Sequence, residues 1–316
     1  GKDMKYCLIT HIADPDGAFP IILSKLVLEN VECFSCEQGE VDSLLEQIIQ
    51  KDYDTIYIVD LNMTEDMAKK INENDVLKNK IKVFDHHESV SYLNKYPFIQ
   101  VVVEANGQKE CGTTLYLNHL KKVMKNPILE NNALNFLVEL VRENDTFDFK
   151  EELEDQAIQF RNLYDIYGRE KYIEHFTEYI LTHDTFELTG IEKEIIEIEE
   201  ARSKRYIEEK LKHMKKATID GVKVGIVFAE QNRSMLGHAI VDNNPDIDIA
   251  VVINVDRSIS YRACKENIDT NILATVYGGG GHKHASGSPL PTDLQEKIVE
   301  YLFKKVEWEN LWKSEK

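Results

Sequence analysis

The chain has 316 residues, 42% of them hydrophobic and 30% charged, and its 38 basic against 56 acidic side chains leave a net charge of −18. Length and composition predict two folded domains, each with its own core, and argue against disorder. The acidic balance argues against a long nucleic-acid duplex as partner, because that binding rests on neutralising phosphates, whereas a short anionic substrate drawn in by bound cations stays compatible.

Three further exclusions follow from composition. No N-terminal stretch has the apolar pattern of a signal peptide, and no run approaches the ~20 apolar residues of a membrane span. Five cysteines, an odd number, fit a reducing cytoplasm better than a disulfide scaffold. The single CxxC, Cys33-Phe34-Ser35-Cys36, has no second pair at zinc-finger spacing and is read as strand packing. Whether the chain forms a homodimer is left open.

In chain order, β-rich runs at Tyr6–Thr10, Val31–Cys36, Thr55–Asp60, Ile81–Asp85 and Phe98–Val103 alternate with helical patterns. Those patterns cover Ala18–Glu29, Ser43–Gln50, Glu65–Asn72 and Thr114–Val123. Alternation of this kind predicts βαβ units with right-handed crossovers and a parallel sheet. From Ile128 to Met214 the pattern is helical. Ile191, Ile195, Ile198, Ala201 and Arg205 mark one face of a charged helix, either a bridge between domains or a surface helix of the first. Strands are expected again at Val222–Phe228, Ile247–Val255 and Ser258–Ala263, with helices at Thr270–Val276 and Asp293–Lys304. The fold class is therefore α/β: a parallel-sheet domain over 1–189, a helical linker over 190–216 and a smaller α/β domain over 217–316.

The chemistry gathers at strand ends. Tyr6–Thr10 runs into His11-Ile12-Ala13-Asp14-Pro15-Asp16-Gly17, Thr55–Val59 into Asp60, and Ile81–Phe84 into Asp85-His86-His87. In open parallel sheets ligands bind beyond the carboxyl ends of the strands, so these side chains are expected in one crevice. Imidazoles with carboxylates suit zinc or manganese, and oxygen-rich sets manganese or magnesium. Pro15 and Gly17 are expected to turn the chain so that Asp14 and Asp16 diverge, although an Asp-Pro-Asp-Gly segment alone is more often a solvated turn. Asn62 and Thr64 are better placed than Asp60 to cap the next helix, which frees Asp60 for metal. Asp145 alone reads as a bland turn residue.

A second constellation is Gly278-Gly279-Gly280-Gly281-His282-Lys283-His284-Ala285-Ser286-Gly287. Successive glycines let backbone N–H groups converge on an anion. Arg262, framed by Ser260 and Tyr261, can grip a phosphate through its planar fork. Arg257 is either a second such contact or a surface charge.

Taken in order, these motifs resemble the DHH phosphoesterases that carry a DHHA1 domain, among them the nano-RNases, over nearly the whole chain. The glycine-histidine segment alone also resembles one in alanyl-tRNA synthetases. The resemblance implies two divalent ions, usually manganese, with magnesium or cobalt as alternatives. It implies that His11 and Asp14 hold one ion, that Asp16, His86 and Asp145 hold the other, and that Asp60 bridges them. Asp85 would orient a ligand and His87 would face the scissile phosphate. Gly279, Gly280, Gly281 and His282, helped by Arg262, would hold the substrate's nucleotide or terminal phosphate. The family often spaces its first histidine differently from the aspartates, and Ser286 stands where alanine is common. The expected activity is hydrolysis of very short oligonucleotides to mononucleotides by metal-activated water. The alternatives are a nucleoside 3′,5′-bisphosphate phosphatase, a cyclic-dinucleotide phosphodiesterase and a nucleotide-sensing module without turnover. A family II pyrophosphatase would share the N-terminal pattern but lack the glycine-histidine motif.

Overall fold

Alternating apolar side chains build the first sheet. The computed structural model describes residues 3–313. In it β1 (Tyr6–His11), β2 (Val31–Cys36), β3 (Thr55–Val59), β4 (Ile81–Asp85) and β5 (Ile99–Val101) pair in the order β2-β1-β3-β4-β5, every neighbour parallel. Successive residues of a strand face opposite sides. Leu8, Tyr57, Val59 and Phe84 accordingly enter one core, while Cys7, Ile9, Ile56, Ile58, Ile81 and Val83 enter the other. Burial on both faces is why these strands read as continuous apolar runs. Cys33 and Cys36 lie against opposite cores, so the CxxC packs and cannot close a site.

The helices of this unit are α1 (Asp14–Val27), α2 (Val41–Ile48), α3 (Glu65–Asn72), α4 (Asp75–Lys80), α5 (Gly112–Val123), α6 (Asn132–Thr146), α7 (Glu154–Tyr167) and α8 (Arg169–Thr182), with a small hairpin of β6 (Glu104–Ala105) and β7 (Gln108–Lys109) before α5. Residues of α1, α5, α6, α7 and α8 close the first core, and those of α2 and α3 the second.

Three expectations are corrected here. The Asp-Pro-Asp-Gly segment is the first turn of α1, which starts at Asp14 and not at Ala18. Proline is tolerated there because the first N–H groups of a helix lack partners anyway. The third strand ends at Val59, because Asp60 adopts a left-handed φ of 65°. Asp145 belongs to the last turn of α6, not to a turn after it.

The chain divides into compact units Gly1–Ile196 and Glu197–Lys316, and the boundary falls inside α9 (Gly190–Lys212). The face of α9 that packs on the first unit carries Ile196 and Glu192; the expected stripe of Ile191, Ile195 and Ile198 is exposed. Farther along, Tyr206, Ile207 and Leu211 pack on the core of the second unit.

That unit contains β8 (Lys215–Ile219), β9 (Val222–Phe228), α10 (Arg233–Asn243), β10 (Ile249–Asn254), β11 (Ser258–Arg262), α11 (Thr270–Val276), β12 (Gly280–His282), β13 (Ala285–Pro289), α12 (Leu294–Phe303) and α13 (Trp308–Leu311). Its sheet runs β12-β13-β11-β10-β9-β8, with β9 and β10 parallel and the other pairs antiparallel. The charged helix, expected to run to about Lys215, stops at Lys212. The following residues enter β8 and turn into β9 through Asp220 and Gly221, both at positive φ, as tight hairpins prefer. The glycine run is not a free loop: Gly280–His282 pairs as an edge strand with Ala285–Pro289.

Candidate metal centre

Strand order β2-β1-β3-β4-β5 puts the topological switch point between β1 and β3, the place where open sheets of this order bind ligands. His11, Asp60 and Asp85 leave adjacent strands at that end. Asp14 and Asp16 come from the first turn of α1, and Asp145 from the last turn of α6. Asp14 and Asp60 sit at φ of 64° and 65°, strain that non-glycine residues carry chiefly at functional sites.

Ligand atoms of His11, Asp14 and Asp60 lie within 4.8 Å of one another, as do those of Asp16, His86 and Asp145, and those of Asp60, Asp85, His86 and His87. His86 Nε2 joins the groups: it lies 2.9 Å from Asp60 Oδ1, 3.4 Å from Asp145 Oδ2 and 3.5 Å from Asp16 Oδ2. The candidate ligands drawn from the strand-end motifs thus meet Asp145 in one place.

Asp16 and Asp85 are each held by a set of donors. Asp16 is buried, and its two oxygens accept the N–H groups of Gly112 at 2.9 Å and Thr113 at 2.8 Å, at the N-terminus of α5 where anions are favoured. Burial opposes its charge, but His86 and Thr113 prevail and hold its carboxyl below the usual range. Pro20 has no N–H to give the carbonyl of Asp16, and the Thr113 hydroxyl donates to it at 3.3 Å instead. Gly17 is required by contact, since a Cβ there would stand 2.1 Å from the carbonyl oxygen of His11.

Asp85 is the hub of a buried network. Its Oδ1 accepts from His87 Nδ1 at 2.6 Å and from the His86 N–H at 2.8 Å, while Oδ2 accepts from Asn62 Nδ2 at 3.1 Å. Despite the cost of burial, the His87 bond holds the Asp85 carboxyl below the ordinary range. The same bond, again against burial, raises His87 above the ordinary histidine value.

Asp60 and Asp145 behave in the opposite way. Burial, then the neighbouring Asp16 and Asp14, push both carboxyl groups well above the ordinary range. Asp145 Oδ2 is buried without a hydrogen-bond partner among the described residues. A buried oxygen in that state calls for an explanation, and a cation supplies one. Carboxylates and imidazoles converging with too few donors are the donor set that divalent metals take, so the cluster can bind metal ions. A cavity of about 260 Å³ opens on it, lined by His11, Asp14, Asp60, Asp85, His87 and Asp145 together with Gln38, Leu61, Ser89 and Val90. A larger, open groove along α8, about 830 Å³, gathers no comparable cluster.

Sequence reasoning missed several members. Glu37 Oε2 lies 3.3 Å from His11 Nε2; it directly follows the end of β2 and so obeys the post-strand rule that found the others. Asn62 does not cap α3. Thr64 does, and Asn62 is buried against Asp85 while Gln38 brackets its backbone at 3.0 and 3.2 Å. A Cβ on Gly112 would stand 2.8 Å from Asp60 Cβ, so only glycine lets α5 approach.

In the second unit, Arg262 Nη1 donates to the carbonyl of Tyr261 at 2.8 Å, and its buried Nε has no partner among the described residues. Gly237 makes room for its stem, since a Cβ there would stand 2.4 Å from Arg262 Cγ. Burial and the nearby charge of Arg233 lower the Arg262 value, and burial with Arg257 lowers that of Arg233. Arg233, unnoticed in the sequence, therefore stands close enough to the two expected arginines to feel their charge. Gly279 N–H donates to the Ala274 carbonyl and Gly281 N–H to Asn271 Oδ1 at 2.9 Å, so those two are already engaged. Gly280 and His282 are exposed on the edge strand.

No protein-family model matches the chain. It is 28% identical over 309 residues to oligoribonuclease NrnB of Bacillus subtilis, an alignment covering 95% of this chain and 76% of that protein. It is 25% identical over 346 residues to a 3′,5′-cyclic-nucleotide phosphodiesterase of Helicobacter pylori, covering 92% and 97%. The fold is shared with the solved DHH domain of a ribosomal-protein family member, with a TM-score of 0.52, 14% identity and coverage of 96% of this chain and 87% of that one. An Asp-His-His cluster at the switch point of a parallel sheet, a second sheet bearing the glycine-histidine segment and these relatives along almost the full length point the same way: the chain is similar to the DHH/DHHA1 phosphoesterases.

Proposed function

We propose that this protein hydrolyses very short oligonucleotides to mononucleotides with two divalent cations, manganese foremost. The observation that carries the reading is the pair of ligand groups, His11/Asp14/Asp60 and Asp16/His86/Asp145, joined through the 2.9 Å contact of His86 with Asp60. Each group would hold one ion, with Asp60 shared. When bound, such ions supply Lewis acidity to a water and to the phosphoryl oxygens.

The chain's own residues do the rest. Asp85 accepts the hydrogen bond of His87 Nδ1, which turns Nε2 outward on a side chain 42% exposed, ready to donate to a phosphoryl oxygen. Leu61 and Val90 supply the apolar part of the cavity lining. Arg262 and Arg257, with the exposed Gly280 and His282, would bind a phosphate of the substrate, and the like charges around Arg262 favour an anion there. The net charge of −18 fits a short substrate rather than a long strand. The Bacillus relative's name, an oligoribonuclease, supports this class.

The Helicobacter relative's name supports a second reading, a phosphodiesterase for cyclic substrates, which the same parts would serve. The test is one panel with manganese: an RNA dinucleotide, a pentanucleotide, a nucleoside 3′,5′-bisphosphate, a 3′,5′-cyclic mononucleotide and cyclic di-AMP. Fastest release of mononucleotide from the dimer and pentamer is expected. Turnover confined to a cyclic substrate or to the bisphosphate would overturn the oligonucleotide reading, and binding without turnover would favour a sensor.

A further inference from the structure

The first-motif loop from His11 to Gly17 is held from outside by a residue no motif contains. Arg169 opens α8, directly after Gly168, whose φ of 78° breaks α7 from α8. Its Nη2 donates to the His11 carbonyl at 2.9 Å, the Ser35 hydroxyl at 3.0 Å and the Gly17 carbonyl at 3.3 Å. Nη1 reaches the Tyr164 hydroxyl at 3.4 Å.

These acceptors are the two ends of the loop that carries His11, Asp14 and Asp16, plus the neighbouring strand β2. The loop is tight: a Cβ on Gly17 would run into the His11 carbonyl, and Thr10 Oγ1 donates to the Gly17 carbonyl at 2.8 Å. Inside it, Asp14 Oδ1 accepts the Gly17 N–H at 2.9 Å, and Asp14 stays at a left-handed φ. A strained turn persists only when its surroundings over-determine it. One nitrogen, Nη2, meets both carbonyls and the Ser35 hydroxyl, while Nη1 reaches Tyr164 and orients the planar group that carries it. An ammonium would be a point charge without the second nitrogen that Tyr164 anchors.

We propose that Arg169 is a positioning residue for metal binding: it fixes the ends of the loop so that His11, Asp14 and Asp16 face Asp60. The proposal rests on the metal reading above and adds to it a residue that itself touches neither ion nor substrate. The test uses the full chain with Arg169→Met and Arg169→Lys, titrated with manganese by calorimetry and by paramagnetic resonance without substrate. The manganese concentration for half-maximal hydrolysis and the substrate KM at saturating manganese are measured alongside.

Arg169→Met should weaken manganese binding by about 10–100-fold, the range found when a partner of a metal ligand is removed. Substrate KM at saturating metal should stay unchanged, and Arg169→Lys should fall between. Should Arg169→Met not fold, Arg169→Lys alone decides. A folded variant with lowered melting temperature and wild-type manganese affinity would overturn the proposal and leave the metal reading standing. Wild-type protein that binds no manganese would remove both.

Discussion

Replacing Gly112 with alanine tests the packing that brings α5 onto the site. The new Cβ would lie 2.8 Å from Asp60 Cβ, 3.0 Å from its N and 3.1 Å from its Cα. Carbon–carbon contacts begin near ~3.5 Å, so the shortfall is about 0.7 Å, and none of the clashing atoms is a flexible tail. Either Asp60 retreats from the cluster, or the first turn of α5 does. In the second case the Gly112 and Thr113 bonds to Asp16, now 2.9 and 2.8 Å, stretch to the edge of hydrogen bonding. Overpacking costs about 1–3 kcal/mol and losing a bond to a charged group about 1.5–3, so a total of roughly 2.5–6 kcal/mol is expected where both occur. For a unit of this size that corresponds to a drop in melting temperature of roughly 5–24 °C. Both routes misplace a ligand, so manganese affinity should fall about 10–100-fold. Calorimetric titration, scanning calorimetry and steady-state hydrolysis read these three effects. Gly112→Ala protein with unchanged melting, metal affinity and turnover would refute the argument that glycine is needed for this approach.

Asp60→Asn should abolish hydrolysis yet stabilise the metal-free protein. Asp60 has a raised carboxyl, so the folded chain holds its proton longer than the unfolded one, and stability is lost as pH rises above the unfolded value of ~3.9. The melting advantage of Asp60→Asn should therefore be greatest at pH 8 and vanish toward pH 4; an advantage independent of pH would contradict this. The same raised values of Asp60 and Asp145 mean that manganese must displace protons. Its affinity should fall as pH falls, with proton release visible as buffer-dependent binding heats, and equal heats in all buffers would count against it. In Asp85→Asn, His87 loses the partner that raises it, so the rate limb reporting loss of its proton should move to lower pH; an unmoved limb would exclude His87 from that role. Arg262→Ala should lower kcat/KM by about 10–100-fold through a lost charged contact while metal content stays constant, and unchanged kinetics would remove it from the substrate site.

Much of the first sheet was legible before any coordinates. β-branched and aromatic runs ending in Asp60 or Asp85-His86-His87 carry the strand signal locally, and burial on both faces leaves that signal undiluted. The bounds slipped where local cues competed. Asp-Pro-Asp-Gly has the composition of a turn, yet the site makes it the first turn of α1. Asp220-Gly221 is a hairpin signal that stands beside a long charged helix, whose periodicity outweighs it locally.

The remaining partners had no such signal. Gly112 meets Asp16 across 96 residues, and Arg169 meets His11 across 158. No periodicity spans such distances, because they are closed by the order in which crossovers stack strands and helices. The chemistry of the metal centre is thus written in short strand-end motifs whose side-chain types are informative wherever they lie. Its geometry comes from glycine contacts, backbone donors and a guanidinium that acquire meaning only once folding brings distant backbone together.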